Sequence, residues 1–598
     1  MVWFVDTSML VLSIVLWHDG VVTRSGGAMH VAVTRRQHNG KVYETYLLRR
    51  SFREDGKVKN ETLANLSHLP VDTIRVIRES LAGKAHVVAG EGFDIERSLP
   101  HGHVAAVWAM AAKLGLEKRL GPVCVERDVA MVLIVARACK PASKLATTRW
   151  WMDTTLACDL GVGAVSTDEV YAAMDWLVGR QGVIESGLVK THLGPGSMVL
   201  YDLSSSWVEG SHCPLAARGY SRDHKAGKAQ IEYGLMTDTA GRPLSIEVFP
   251  GNTADPTAFI AAVEAVRGRF GLKDVIMVGD RGMITTTRIE ALRDVGGLDW
   301  VTCLRAPSVK ALAESGALQL SLFDQANLAE ISHPDYPGER LIACRNPTLA
   351  TERARKRSEL LAATETVLAP IVAAVNEGRL KGADKIGIRI GRHINRYKMA
   401  KHFTLEITDT AFTWTRKTDA INAEAALDGI YVIRTSVSSD TLDTSAAVAA
   451  YKNLAVVERD FRNIKTMDLD LRPIYHRTED RVRAHVFICM LAGYITWHLR
   501  QVWAPLCFTD EQRPERVDPV APAQQSAAAR QKALLQTTTD NTTVHNFSTL
   551  LNHLATLTRN TIKFVGGSRI DKLSLPTRLQ RQAFDLIGTP IPTKIGNK

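Results

Sequence analysis

The sequence predicts a mixed α/β protein of roughly three or four structural units, centred on a sheet whose buried strands deliver carboxylates to one place. Three observations carry this. The apolar runs "MVLY" before Asp202 and "VIMVG" before Asp280 are short and continuous, the pattern of strands buried on both faces. From Ser197 to about residue 306, such runs alternate with helical periodicity in the order strand, strand, strand, helix, strand, helix, strand. The 598 residues, 45% hydrophobic and 23% charged, suffice for several cores in a globular chain.

Residues 1–28 open with "MVWFVDTSMLVLSIVLW", which has no basic start and holds Asp6 among its apolar residues. It is expected to be a loosely attached or mis-assigned extension, not a signal peptide. From Met29, "HVAVTRRQ" and "KVYETYLLRRSF" flank Asn39-Gly40 and read as a hairpin, with a second turn at Asp55-Gly56. Arg35, Arg36, Arg49, Arg50 and Arg53 stud this small sheet. Helical texture follows, as in "HVAAVWAMAAKLGLEKRLG", so residues 29–190 read as a mainly helical candidate DNA-binding region. Gly194, Pro195 and Gly196 mark the change to the strand-bearing segment, 191–306.

Residues 307–440 mix a long basic helix, "ERARKRSELLAATETVLAPIVAAVNEGRL", with strand-like "KHFTLEITDTAFTWTRK" and "DGIYVIRTSV", and read as a β-rich insertion. Residues 441–505 return to helices. Residues 506–598 include "PERVDPVAPAQQSAAARQ" and read as a linker and small appendage. With no run of about 20 apolar residues, no membrane span is expected.

In "YKNLAVVERDFRNIK", Leu454, Val457, Phe461 and Ile464 recur every three or four residues and mark the buried stripe of a helix. Glu458 borders that stripe. At about 100° per residue, Tyr451 and Lys465 fall on nearly its line, and Arg462 is one turn on. Alone, Glu458 reads as a surface ion pair with Arg462. Joined to Asp202 and Asp280, each expected where a buried strand ends, it would complete an oxygen-rich pocket at the ligand-binding edge of an α/β sheet. Such a pocket suits Mg²⁺, with Mn²⁺ as substitute. Two ions about 4 Å apart can activate an attacking oxygen and stabilise a leaving one in phosphodiester cleavage.

The balance of 74 Lys+Arg against 63 Asp+Glu, +11 overall, favours a polyanionic partner, either nucleic acid or an anionic membrane. Cations flank all three motifs: Arg222, His224, Lys225 and Lys228; Arg281; and Arg472, His476, Arg481 and Arg483. The eight cysteines are scattered without a C-x-x-C pair, as buried thiols in a reducing compartment would be. "GEG" at Gly90–Gly92 lacks the third glycine of a dinucleotide site, and "AGKA" is no Walker loop. His101 and His103 have no further ligands at zinc spacing.

The blocks "YDLSSSWVEG", "GYSRDHKAGKAQIEYGL", "VFPGNTADPTAF", "VGDRGM" and "YKNLAVVERDFRNIKTMDLDLRPIYHRTEDRVRAHVFICMLA" together resemble the DDE transposases of bacterial insertion sequences. They are similar to the group with a Tyr-Arg-Glu-Lys signature and a large insertion before the last catalytic helix. The resemblance implies an RNase H-like catalytic core interrupted by that insertion, with Asp202, Asp280 and Glu458 as the catalytic, metal-holding acids. The signature spacing Y-x2-R-x3-E-x6-K places Tyr451, Glu458 and Lys465, while Leu454 stands at its Arg position. Arg462 is the candidate replacement.

The expected DNA contacts are Arg222, Lys225, Lys228, Arg281, Tyr451, Arg462 and Lys465, in a homodimer acting on element ends in the bacterial cytoplasm, associated with the nucleoid. The implied reaction nicks the ends and joins the freed 3′-hydroxyl to target DNA. Two rivals are a structure-selective nuclease of the same fold and a transposase-derived DNA-binding protein without catalysis; the intact acids argue against the second.

Overall fold

A computed structural model describes residues 28–84, 92–225, 227–319, 323–324, 326–514, 518–538, 541–564 and 567–596. The expected N-terminal extension, except Ala28, lies outside these residues, as do parts of "GEG", "AGKA" and "PERVD". The chain forms two compact units: residues 1–97 with 560–571, and residues 98–559 with 572–598.

In the first unit, β1 (Met29–His38), β2 (Lys41–Glu54) and β3 (Lys57–Asn65) form an antiparallel meander. Asn39, Gly40, Asp55 and Gly56 all have positive φ, as tight hairpin turns require and as Asn-Gly and Asp-Gly readily supply. One sheet face buries Leu48, with Leu66 beyond β3, against Ile74 of the helix Val71–Leu81. β4 (Phe93–Pro100) follows.

The second unit is built on one eight-stranded mixed sheet. Its strands are β5 (Met198–Trp207), β6 (Gln230–Thr237), β7 (Pro243–Pro250), β8 (Val275–Gly279), β9 (Leu298–Cys303), β10 (Leu328–Ile331), β11 (Arg340–Arg345) and β14 (Ile430–Thr435), in the order β10-β11-β14-β9-β8-β5-β6-β7. β5, β6 and β7 are antiparallel; β8 runs parallel to β5, and β9 parallel to β8. Helices Asp255–Glu264 and Thr286–Val295 make the two parallel crossovers, so the expected element order is realised.

The insertion rejoins this sheet, because β14 pairs antiparallel with both β9 and β11. The segment read as β-rich also holds a 30-residue helix, Pro347–Asn376, which packs Leu361, Leu368 and Ile371 near the hairpin β12 (Phe403–Ile407) and β13 (Phe412–Arg416).

Helix Glu479–Val502 threads the core and packs against helices Val125–Cys139 and Thr167–Gly179 and against β7. By length and composition it could cross a membrane, as could Pro347–Asn376; 83% of its apolar stretch is buried in the protein. The segment read as a linker buries Val520 completely, and Lys452 donates to the Val520 carbonyl at 2.7 Å. Further on, Phe547, Leu550, Leu554 and Phe584 join the main core. The last strands, β15 (Thr558–Phe564) and β16 (Arg569–Leu573), make a three-stranded sheet with β4.

His101 is a satisfied core histidine, bonded to Thr155 Oγ1 and the Pro592 carbonyl at 2.7 Å each. All eight cysteines are free thiols.

Candidate functional site

The cleft begins where one strand outruns its neighbour. β8 pairs with β5 only from Met198 to Tyr201 and ends at Gly279. β5 continues to Trp207 along β6. Asp202 therefore sits mid-strand rather than at the strand end the sequence suggested; its partner is what stops. Asp280 follows that stop directly, so both carboxylates reach the gap beside β5. Asp202 Oδ1 accepts from the Leu203 N–H at 2.8 Å. Asp280 accepts from the Tyr451 hydroxyl at 3.4 Å and the Gly282 N–H at 3.4 Å.

Glu458 arrives from the helix Leu454–Arg462, whose Leu454, Val457 and Phe461 are buried, with Ile464 extending the stripe. Phe461 meets Tyr233 of β6 edge-on, ring centres 5.7 Å apart, which fixes the helix across the sheet. The sequence suggested one continuous helix, but it is split. Tyr451 lies in the last turn of the preceding helix, Thr444–Lys452, and Lys465 lies in a π turn, Asn463–Met467. Such turns recur at functional sites. Among the described residues Glu458 has no ion-pair partner, so the expected bond to Arg462 is absent and its carboxylate is exposed in the cleft.

The cleft encloses about 1140 Å³, and Asp202, Asp280 and Glu458 all line it. Burial pushes the Asp202 carboxyl up to about 7, and the negative charges of Asp280 and Glu458 add to the rise. Arg222, Arg281, Tyr451, Arg462 and Lys465 line the same cleft, as do Leu454 and Arg353 from the insertion's long helix. Lys225 and Lys228 do not. Lys228 is paired with Glu209 at 2.9 Å, and Lys225 lies over the Trp207 ring at 5.4 Å.

The lining cations divide into two kinds. Arg222 is engaged by Asp255 at 2.7 Å and Glu232 at 3.4 Å. Lys465 is buried and held by Asp223 at 2.9 Å, and Arg472 bonds the same Asp223 oxygen. Arg281, Arg353 and Arg462 are exposed and have no carboxylate partner among the described residues. Asp223 was not singled out from the sequence, because a loop acid inside "SRDHKAGK" looks like any solvated charge.

Among the described residues no three Asp, Glu, His or Cys side chains converge closely enough to cage one ion alone. An all-oxygen set of this kind fits Mg²⁺, which takes one or two carboxylates and completes its octahedron with water and phosphate oxygens. The resulting chemistry is that of an anionic floor for cations, walled by arginines for phosphates.

Comparison with known proteins agrees with the geometry. The transposase DDE domain matches residues 197–493, and the N-terminal domain of the IS1634 family transposases matches residues 31–91. No curated protein matches. Among solved structures, the chain is similar to a cryo-EM structure of the piggyBac transposase synaptic complex with hairpin DNA, at 9% identity and a TM-score of 0.33, covering 66% of this chain and 72% of that one. The two family matches between them take in more than half of the residues and include the cleft: the chain belongs to the DDE transposases of bacterial insertion sequences and is a metal-dependent DNA transposase.

Proposed function

We propose that this transposase nicks DNA at the ends of an insertion sequence and joins the freed 3′-hydroxyl to target DNA at Asp202, Asp280 and Glu458. The observation that carries the reading is their meeting in one cleft with three arginines whose charges are unspent. The strand pattern supports an RNase H-like core: three antiparallel strands extended by two parallel ones, with one acid on the central strand and one just past its parallel neighbour.

Two Mg²⁺ or Mn²⁺ ions, held by the three carboxylates, would activate the attacking oxygen and stabilise the leaving one. The chain's own groups position the DNA. Arg281, Arg353 and Arg462 take backbone phosphates beside the scissile bond, with Arg462 serving for the signature arginine that Leu454 replaces. The Tyr451 hydroxyl steadies Asp280. Arg222 and Lys465 shape the cleft walls through their carboxylate partners and meet DNA from there. Lys225 and Lys228 brace the loop between β5 and β6. No nucleotide cofactor is required, since one phosphodiester is exchanged for another. We place the active form as a homodimer on paired element ends, in the cytoplasm with the nucleoid.

The test is to incubate the purified protein with DNA carrying the inverted repeats that flank its coding region, plus a supercoiled target, with Mg²⁺ or EDTA. Mg²⁺-dependent nicking and joined products are expected. Cutting without joining would favour the nuclease, and binding without cutting would favour the non-catalytic DNA-binding protein.

A further inference from the structure

The meander β1-β2-β3 sorts its charges by face. Side chains alternate along each strand, and the register fixes which ones share a side. The face bearing Leu48 and Tyr46 packs on the helix Val71–Leu81. That side also carries every acid of the three strands, each neutralised: Glu44 by Arg35 at 2.8 Å, Glu61 by Arg50 at 2.6 Å and Glu54 by Lys59 at 2.7 Å.

The opposite face carries Arg36, Lys41, Arg49 and Arg53 and no carboxylate. Their neighbours there include Thr34, Thr45, Ser51, Asn60 and Thr62, hydroxyls and amides that suit phosphate oxygens. None of the four cations has an ion-pair partner among the described residues, and the Arg49 Nε is enclosed without a hydrogen-bond partner there. The β1–β2 end, from Val33 to Glu44, is exposed on both faces, and a two-stranded ribbon fits the major groove.

We propose that this open sheet face is a docking surface for duplex DNA, with Arg36, Lys41, Arg49 and Arg53 seated on backbone phosphates. The idea rests on the transposase reading and adds the element that grips the duplex. Charge complementarity names the occupant. A face with four unpaired cations and no acid, whose neighbours mix hydroxyls and amides with Tyr43, Leu47 and Val58, matches a polyanion with regularly spaced charges.

The test compares the full-length chain with two triple variants, R36A/R49A/R53A on the open face and R35A/R50A/K59A on the paired face, both checked for an unchanged melting profile. Binding to element-end duplex is measured against salt. The open-face variant should lose at least tenfold in affinity at 0.15 M salt, and its log–log salt slope should fall by about 2 to 3, near 0.9 for each phosphate no longer neutralised. The paired-face variant should change both little, and R36K/R49K/R53K should stay within threefold of wild type.

An open-face variant that binds with wild-type affinity and slope, or equal losses from both faces, would overturn the proposal. So would retained binding to DNA alongside lost binding to anionic vesicles. Cleavage at saturating DNA is read in parallel. If the open-face variant binds weakly yet cuts normally when saturated, both readings stand; if wild type binds through this face but never cuts, the catalytic reading alone fails.

Discussion

Replacing Asp223 separates structural from DNA-contacting cations in the cleft. Its side chain is 2% exposed and one oxygen accepts from both Lys465 and Arg472, whose side chains are 10% and 22% exposed. Asp223→Asn removes the buried carboxylate that both cations share and leaves them facing each other with little exposure to water. Breaking a buried pair this way costs about 3–5 kcal/mol. Lys465→Met keeps the aliphatic stem and leaves Asp223 with Arg472, so it should cost about 1.5–3 kcal/mol, the range of one charged hydrogen bond. In the double variant the shared bond is counted once, and its loss should fall short of the sum by about 1–3 kcal/mol. Urea unfolding followed by tryptophan emission is a suitable assay, because Trp207 lies 5.1 Å from the Arg472 guanidinium. If Lys465→Met is neutral and the two changes add within about 0.5 kcal/mol, Lys465 is a free cation and the clamp is wrong.

The remaining expectations concern pH, the vacant signature position and the loop lysines. Since Asp202 protonates at about 7 and a ligand must be deprotonated, the Mg²⁺ concentration for half-maximal cleavage should rise about tenfold per pH unit below 7 and level off above it. A midpoint unchanged from pH 5.5 to 7 would remove Asp202 from the metal site. Asp460, 8% exposed, is also pushed up to about 7 by burial, from an ordinary 3.8. The folded state therefore binds the extra proton, and stability falls as pH rises through this window, by up to about 4 kcal/mol. Asp460→Asn should raise the melting temperature at pH 8 and not at pH 4; equal effects at both would refute the titration. Leu454→Arg should tighten DNA binding while costing about 1–3 kcal/mol, because Leu454 is 9% exposed and packed in the core yet lines the cleft. Lys228→Ala should leave the salt slope of binding unchanged, since Glu209 already neutralises it, whereas Arg281→Ala should lower it by up to about 0.9.

Much of the site was legible because its signals are local. The runs before Asp202 and Asp280 are buried strands, and the Leu454, Val457, Phe461, Ile464 stripe is a core face, so each acid could be placed at the edge of apolar texture. What the sequence hid is set by distant partners. Asp202 is uncovered by where β8 stops, and β8 lies more than 70 residues on, so the strand itself gives no sign. Asp223 and Lys465 meet across 242 residues, and neither has a local partner to betray the pairing. The insertion's alternating segments were visible as strands, but nothing in "DGIYVIRTSV" says that it joins β9 and extends the central sheet. The C-terminal helices were the readable omission: Phe547, Leu550, Leu551 and Leu554 form a stripe at helical spacing whose burial the polar stretch before it obscured.

Glu458→Gln tests the central claim most directly. The change keeps the side-chain shape and the helix and removes only a charge that has no ion-pair partner among the described residues. Cleavage of element-end DNA in Mg²⁺ is measured beside circular dichroism and DNA affinity. The three-acid account predicts a folded protein that binds DNA within a few fold of wild type and does not cut it. A folded Glu458→Gln protein with wild-type cleavage and strand transfer would contradict that account, whatever Asp202 and Asp280 prove to do.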